Sequence, residues 1–303
     1  MGIGIIFEQV LQLFIFIVAG YVLSKVGVFK PEHCKTLSAM LVYIFLPCVS
    51  FNNFAANLTV AYMKTKYPLV IASFVLLMVT VVLSKLIAHK MTKHPYERVT
   101  LRYILTVPNY AYMGYALCGS LYGDVALLDM MIFALPMSVY ISSIGYNMLT
   151  CNEGKISFKR IMTPPMYGIL LGCIVGLFGI KLPAVITDVS QKAGACMAPV
   201  AMILAGIAVS EFKLKELLLN KQAYFITALR LIVLPVLAFA LVKLIRLDLV
   251  LVSAVVIYCM PCGMNTIIYP KMVGEDCRMG ASMVLISSVA CVATIPLCLY
   301  FLL

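Results

Sequence analysis

The chain has 303 residues, of which 63% are hydrophobic and only 12% are charged, and its mean hydropathy is +1.06. This composition excludes an ordinary soluble domain and indicates a protein that lies in a lipid bilayer. The formal net charge of +11 does not indicate a nucleic-acid partner, because the cations are placed between apolar segments.

Apolar segments recur along the whole chain, each of about 20 residues, the length that crosses a hydrocarbon core of roughly 30 Å. Continuous apolar runs without period-two alternation favour helices over a membrane barrel. The predicted fold class is therefore an all-α polytopic membrane protein with ten transmembrane helices. The ten predicted segments are 3–24, 36–57, 68–88, 101–121, 125–149, 162–180, 193–211, 222–242, 249–272 and 279–302.

Lysine and arginine are distributed unequally between the predicted connections. The odd-numbered connections carry 16 of the 23 cations, and the even-numbered connections carry six. The positive-inside rule then predicts that the odd-numbered connections are cytoplasmic and that both termini lie outside the cell membrane. No cleavable signal peptide is expected, because Glu8 interrupts the first apolar run and no basic segment precedes it.

The two halves of the chain repeat each other at an offset of about 152 residues. An odd number of spans in each half forces the second half to enter the membrane from the opposite side, so 1–151 and 152–303 are predicted to be inverted five-helix repeats. The aligned pairs are Gly20 with Gly172, Gly27 with Gly179, Pro31 with Pro183, Pro47 with Pro199, Pro108 with Pro261, and Gly123 with Gly274.

Prolines are expected to break the second and fourth helices of each half, at Pro47, Pro199, Pro108 and Pro261. A proline removes a backbone donor and clashes with the preceding turn, although neighbouring helices can tolerate a simple kink. Matched breaks in the fourth helices of two inverted repeats point to the binding site of a transporter. These are the breaks in VPNYAYMGYALC and CMPCGMNTIIYP.

Polar side chains near the matched breaks are the candidate binding residues. Asn109 follows Pro108 directly, and Asn265 follows the second break, so each amide could cap broken backbone, bind substrate, or do both. Tyr110 could line a cavity or only pack. Arg230, deep in the eighth segment, could attract an anion or bond to carbonyls freed by a helix break. Half-helix N-termini suit a carboxylate, whereas C-terminal carbonyls suit cations.

Metal, cofactor and enzyme functions are not predicted. Cys259 and Cys262 have the C-x-x-C spacing of redox and metal sites, but no second ligand pair lies near them in the sequence. The three histidines, His33, His89 and His94, fall in connections. No nucleophile and base can be paired from the residues within the segments, so an enzyme is not expected.

The chain resembles the auxin efflux carrier family, which includes plant PIN exporters and bacterial malate and malonate permeases. The resemblance covers nearly the full length and rests on GYVLSKVGVF, LVYIFLP, VPNYAYMGYALCGSLYG, ALRLIVLP and YCMPCGMNTIIYPKMVGED. It departs from the family after Asn109, where Tyr110 and Ala111 replace an Asn–Thr–Gly-type stretch. The short connection between the fifth and sixth spans is similar to the compact bacterial form.

The resemblance implies a 5+5 inverted-repeat fold in which broken helices 4 and 9 cross at the substrate site. It further implies a scaffold of spans 1, 2, 6 and 7 and a transport domain of spans 3–5 and 8–10. The transport domain would move small organic anions such as malate, malonate or auxin-like acids by an elevator movement, in a homodimer. The alternatives are a sodium-coupled carrier of the bile-acid symporter type and a channel or sensor on the same scaffold. A proton, a sodium ion or no ion could be coupled.

Overall fold

Helices make up the regular structure of the computed structural model, which describes residues 2–151 and 158–303. Seven of them are long and apolar enough to cross a membrane: α1, α2, α3, α5, α7, α8 and α11. The protein is thus an all-helical multi-pass membrane protein. In chain order the helices are α1 (Ile3–Lys25), α2 (His33–Asn57), α3 (Val60–Met91), α4 (Pro95–Thr106), α5 (Tyr110–Leu149), α6 (Pro164–Phe178), α7 (Ala184–Ser210), α8 (Lys221–Leu244), α9 (Leu251–Cys259), α10 (Asn265–Val273) and α11 (Arg278–Leu302), with short helices at Phe158–Ile161 and Leu214–Leu218.

The ten predicted segments differ from this helix order in three places. The fourth is divided between α4 and the first part of α5, and the ninth is divided between α9 and α10. The sixth corresponds to α6, which has 15 residues. Helix α5 also contains the fifth segment and turns at Gly123, where φ is 82°. The boundary predicted at residue 152 and the cation Lys155 lie outside the described residues.

Pro47 and Pro199 produce local irregularities rather than unwound breaks. In α2 a π-helical turn at Leu41–Phe45 precedes Pro47, and the chain then continues as helix to Asn57. In α7 one turn residue, Cys196, interrupts the helix three residues before Pro199. Each proline therefore follows a local distortion of a continuing helix, which accommodates the loss of its backbone N–H.

Matched glycines bring helices of the two halves into close contact. A Cβ on Gly172 of α6 would lie 2.7 Å from the backbone oxygen of Phe51 in α2, and a Cβ on Gly20 of α1 would collide with the backbone oxygen of Ile203 in α7. Gly20 and Gly172 are 152 residues apart, and so are Phe51 and Ile203. The first helix of each half thus packs on the second helix of the other half through the same contact, as small residues allow.

Left-handed backbone occurs at matched positions as well. Gly27 and Gly179 have φ values of 84° and 61°, and Gly123 and Gly274 have values of 82° and 76°. Both pairs are among the three glycine pairs that the sequence alignment of the halves produced. Glycine is favoured there because it has no Cβ to clash in this conformation. The two halves therefore turn at corresponding places.

Candidate functional site

One unwound segment joins α4 to α5, and a second joins α9 to α10. The two segments cross each other. Pro108 and Cys262 form an isolated antiparallel β-bridge at this crossing. The N–H of Asn109 donates to the carbonyl of Pro261 at 2.8 Å. The structure therefore brings together the two proline breaks that the sequence paired, and we call these two segments the crossover.

The crossover leaves backbone donors at the start of α5. Met113 and Gly114 both donate to the carbonyl of Asn109 at 3.3 Å. Within residues 2–151 and 158–303, the N–H groups of Tyr110, Ala111 and Tyr112 have no acceptor. Such free donors at a helix N-terminus, where the dipole is positive, suit an anion.

The start of α10 has the same property. Thr266 donates to the carbonyl of Gly263 at 3.4 Å, and Ile267 donates to that of Met264 at 2.9 Å. The N–H groups of Met264 and Asn265 find no acceptor in the described chain. Two helix N-termini with free donors therefore meet at the crossover.

A cavity of about 220 Å³ lies against both N-termini. Asn109, Tyr110 and Asn265 are part of its wall, so the structure brings these three predicted residues together. Hydroxyl groups in the wall come from Ser38 of α2, Ser142 of α5, Thr163 before α6 and Tyr269 of α10, among others. The lining residues of the described chain include no lysine, arginine, aspartate or glutamate. The site is polar without a charged side chain.

The three predicted side chains in this wall differ in their hydrogen bonding. Asn109 is only 7% exposed, and its amide has no hydrogen-bond partner in the described part of the chain. Asn265 donates one N–H of Nδ2 to the hydroxyl of Tyr103 at 2.8 Å, which leaves the second N–H of Nδ2 available as a donor. The hydroxyl of Tyr110 is 2.8 Å from Ser138 Oγ. The two asparagines therefore keep amide donors that can form further hydrogen bonds in the cavity, whereas the Tyr110 hydroxyl is already paired.

Arg230 lies behind the crossover and is not part of the cavity wall. Its side chain is 0% exposed. Nη1 donates to the carbonyl of Leu105 at 2.9 Å, and Nε donates to that of Met260 at 3.3 Å. The sequence left two roles open for Arg230, to attract an anion or to bond to carbonyls freed by a helix break. The observed contacts are those of the second role.

Comparison with known sequences identifies the family of this chain. The family described as "Membrane transport protein" matches residues 5–299. The chain belongs to this membrane transport protein family. The resemblance to the auxin efflux carrier family is thereby confirmed.

Two archaeal members of the membrane transport family are similar over most of their length. An uncharacterized transporter of Methanothermobacter thermautotrophicus is 25% identical over 239 residues, which cover 76% of each chain. An uncharacterized transporter of Methanocaldococcus jannaschii is 24% identical over 295 residues, which cover 93% of this chain and 94% of the relative. Membership of this family makes the protein a transporter by class.

The C-x-x-C pair of this family member lies inside the protein. Cys259 and Cys262 are both buried. The N–H of Cys262 donates to Ser287 Oγ at 3.0 Å. In the described part of the chain, no group of three or more His, Cys, Asp and Glu residues could hold a metal ion. The two cysteines therefore pack at the crossover as small apolar residues.

Sequence reasoning missed one partly buried ion pair. Asp129 lies within the predicted fifth segment, and its Oδ2 is 2.6 Å from Lys66 Nζ in α3, with both side chains 15% exposed. Tyr62 donates its hydroxyl to Asp129 Oδ1 at 2.5 Å. A search of the predicted segments for acidic residues would have found Asp129, but not the partner 63 residues away.

Proposed function

We propose that the protein is a secondary transporter that moves small organic anions, mono- or dicarboxylates, by elevator-type alternating access. The observation that carries this proposal is the convergence of two helix N-termini and two asparagine amides on one cavity without charged side chains. A carboxylate fits these groups because it accepts hydrogen bonds from backbone N–H groups and amides alike.

The charge balance of the site supports reversible binding of an anion. Each helix N-terminus is equivalent to roughly +0.5 elementary charge, so the two N-termini together offset about one carboxylate. Hydrogen bonds to a charged group contribute about 1.5–3 kcal/mol each, which favours binding without a fixed ion pair. A substrate held in this way can be released on the other side of the membrane.

We propose ten spans in two inverted five-helix repeats, 1–151 and 152–303. The repeated contact between Gly20 and Ile203 and between Gly172 and Phe51 supports this arrangement. We further propose a scaffold of spans 1, 2, 6 and 7, supported by the packing of α1 on α7 and of α2 on α6. Spans 3–5 and 8–10 would form the moving domain, supported by the packing of α3 on α4 and α5 and of α8 on α9 and α11.

A second polar cavity supports access from both sides of the membrane. It has a volume of about 540 Å³ and is lined by Asn52, Asn53, Asp124 and Gln191 among others. Along α2, Leu46 lines the first cavity and Val49 lines the second, so the two cavities follow each other along this helix. With the topology predicted from the cations, the first cavity faces the cytoplasm and the second faces outward.

The proposed setting is the cell membrane, with both termini outside and two copies of the chain forming a homodimer. These points follow from the cation distribution and from the family resemblance. Imposed proton, sodium and voltage gradients distinguish the three possible forms of coupling.

Flux measurements on purified protein in liposomes test this function. Uptake of labelled malate, malonate and small monocarboxylates would be followed under imposed proton, sodium or voltage gradients. We expect saturable uptake of at least one acid and counterflow when the same acid is present inside. Unsaturable currents without counterflow would instead support a channel on the same scaffold.

A further inference from the structure

Two backbone carbonyls at the crossover have lost their helical donors. In a continuous helix, the carbonyl of Leu105 would accept from the N–H of Asn109, but that group donates to Pro261 at 2.8 Å. Met260 has extended backbone, with φ −71° and ψ 146°, so its carbonyl also lies beyond helical bonding. Both carbonyls instead accept from the guanidinium of Arg230. The Arg230 side chain therefore forms hydrogen bonds to the C-terminal ends of both α4 and α9.

The charge of Arg230 matches these two helix ends. Each C-terminus is equivalent to roughly −0.5 elementary charge, so the two together offset about one cation. In the described part of the chain, no carboxylate pairs with Arg230, and the ring of Tyr258 lies 5.9 Å from its Cζ. The partner of this buried charge is thus the pair of helix ends.

Hydrogen bonding alone does not account for an arginine at this place. Within the described chain, its Nη2 is buried and has no acceptor. A charged side chain deep in a membrane is costly, and a neutral amide could supply donors to two carbonyls without that cost. The positive charge itself is therefore the property that distinguishes arginine here.

Unwound carbonyls and half-helix C-termini are the groups that coordinate sodium ions or protons in transporters with discontinuous helices. In this chain the carbonyls of Leu105 and Met260 already bind a cation, the guanidinium of Arg230, which is covalently part of the protein. We propose that Arg230 is a positioning residue whose guanidinium takes the place of a dissociable coupling cation at the crossover. The inference rests on the proposed anion transport and deepens it.

Two properties of transport follow from a tethered cation. The helix C-termini stay neutralised whether or not sodium is present, so the anion binds at the N-termini without a bound sodium ion. The cation also cannot leave the moving domain, so each monocarboxylate carries one net negative charge across the membrane. Transport by the wild-type protein is then independent of sodium and sensitive to voltage.

The experiment compares Arg230→Ala, Arg230→Lys and Arg230→Gln with the wild-type protein in liposomes. Replacing sodium by choline should leave wild-type uptake unchanged. Arg230→Ala should lower uptake by about tenfold, the order of free-energy coupling between sites in proteins. Millimolar guanidinium should restore uptake by Arg230→Ala but not stimulate the wild type. Arg230→Lys should retain uptake better than Arg230→Gln, which keeps donors and lacks the charge.

A second measurement does not depend on transport. Millimolar guanidinium should raise the unfolding temperature of purified Arg230→Ala and leave that of the wild type unchanged. If no anion is transported by the wild type, the proposed function fails while this shift still tests the role of Arg230.

Three results would overturn the inference. The first is a severalfold loss of wild-type uptake on removal of sodium. The second is wild-type uptake by Arg230→Gln, which would reduce Arg230 to a hydrogen-bond donor and would decide the matter even if Arg230→Ala did not fold. The third is an Arg230→Ala protein that folds and responds to guanidinium neither in uptake nor in unfolding temperature.

Discussion

The N–H of Asn109 donates to the carbonyl of Pro261, and these two residues are 152 positions apart, the offset that relates the halves of the chain. This bond joins the two helices at the point where each is broken. It satisfies one donor and one acceptor that the breaks would otherwise leave unpaired in the membrane. The remaining free donors belong to the turns that face the cavity.

Asn109→Ala and Asn265→Ala are each expected to lower anion uptake by about tenfold or more, because a lost hydrogen bond to a charged group is worth about 1.5–3 kcal/mol. Initial uptake rates in liposomes over a range of substrate concentrations measure this. Gln12→Ala is the matched control, since this amide is exposed on α1 away from the cavity. Wild-type uptake by both asparagine variants would remove them from the substrate site.

Tyr103→Phe tests how Asn265 is oriented. The tyrosine hydroxyl accepts the hydrogen bond from Asn265 Nδ2 at 2.8 Å, so its removal frees the amide to rotate. We expect uptake to fall by less than in Asn265→Ala, with the loss mainly in substrate affinity. Concentration dependence of uptake separates affinity from maximal rate. Equal losses in the two variants would show that Tyr103 does more than orient the amide.

Gly20→Ala is expected to destabilise the folded protein by about 1–3 kcal/mol, the usual cost of overpacking. The added Cβ collides with the backbone of α7, which cannot rotate away as a side chain can. Gly172→Ala should act in the same direction through α2. Thermal unfolding in detergent measures the effect, with Gly4→Ala as control because nothing lies within 4 Å of its added Cβ. Equal unfolding temperatures for Gly20→Ala and Gly4→Ala would contradict the close contact.

Asp129→Asn is expected to destabilise the protein by about 2 kcal/mol, less than for a fully buried pair, because it leaves Lys66 charged without its partner. Adding Lys66→Met to this variant should recover part of the loss. The double-mutant cycle is read from unfolding temperatures. Additive effects of the two substitutions would mean that the pair contributes no coupling.

Cysteine labelling tests the proposed access from two sides. The background would lack Cys151 and Cys196, the exposed cysteines. In this background, Ser38→Cys in the first cavity should react with a membrane-impermeant thiol reagent applied from the cytoplasmic side. Asn57→Cys in the second cavity should react from the outer side. The opposite pattern would reverse the proposed orientation in the membrane.

Several features of the fold could be read from the sequence because they depend on local properties. Segment length and hydropathy are enough to predict a helical membrane protein. A proline next to an asparagine within an apolar run is enough to predict a disturbed helix at Pro108. Pro47 and Pro199 carry the same local signal, yet their helices continue. There a π-helical turn and a single turn residue accommodate the prolines, which the sequence does not show.

The contacts at the crossover were decided only by the tertiary structure. Arg230 and Leu105 are 125 residues apart, and Asn265 and Tyr103 are 162 apart. Hydrophobicity and proline placement act over one or two turns, whereas these hydrogen bonds form only after distant helices have packed together. The sequence by itself therefore determined that this is a membrane protein with two matched helix breaks. Tertiary packing decided that the two amides face a common cavity and that the buried Arg230 faces the helix ends behind it.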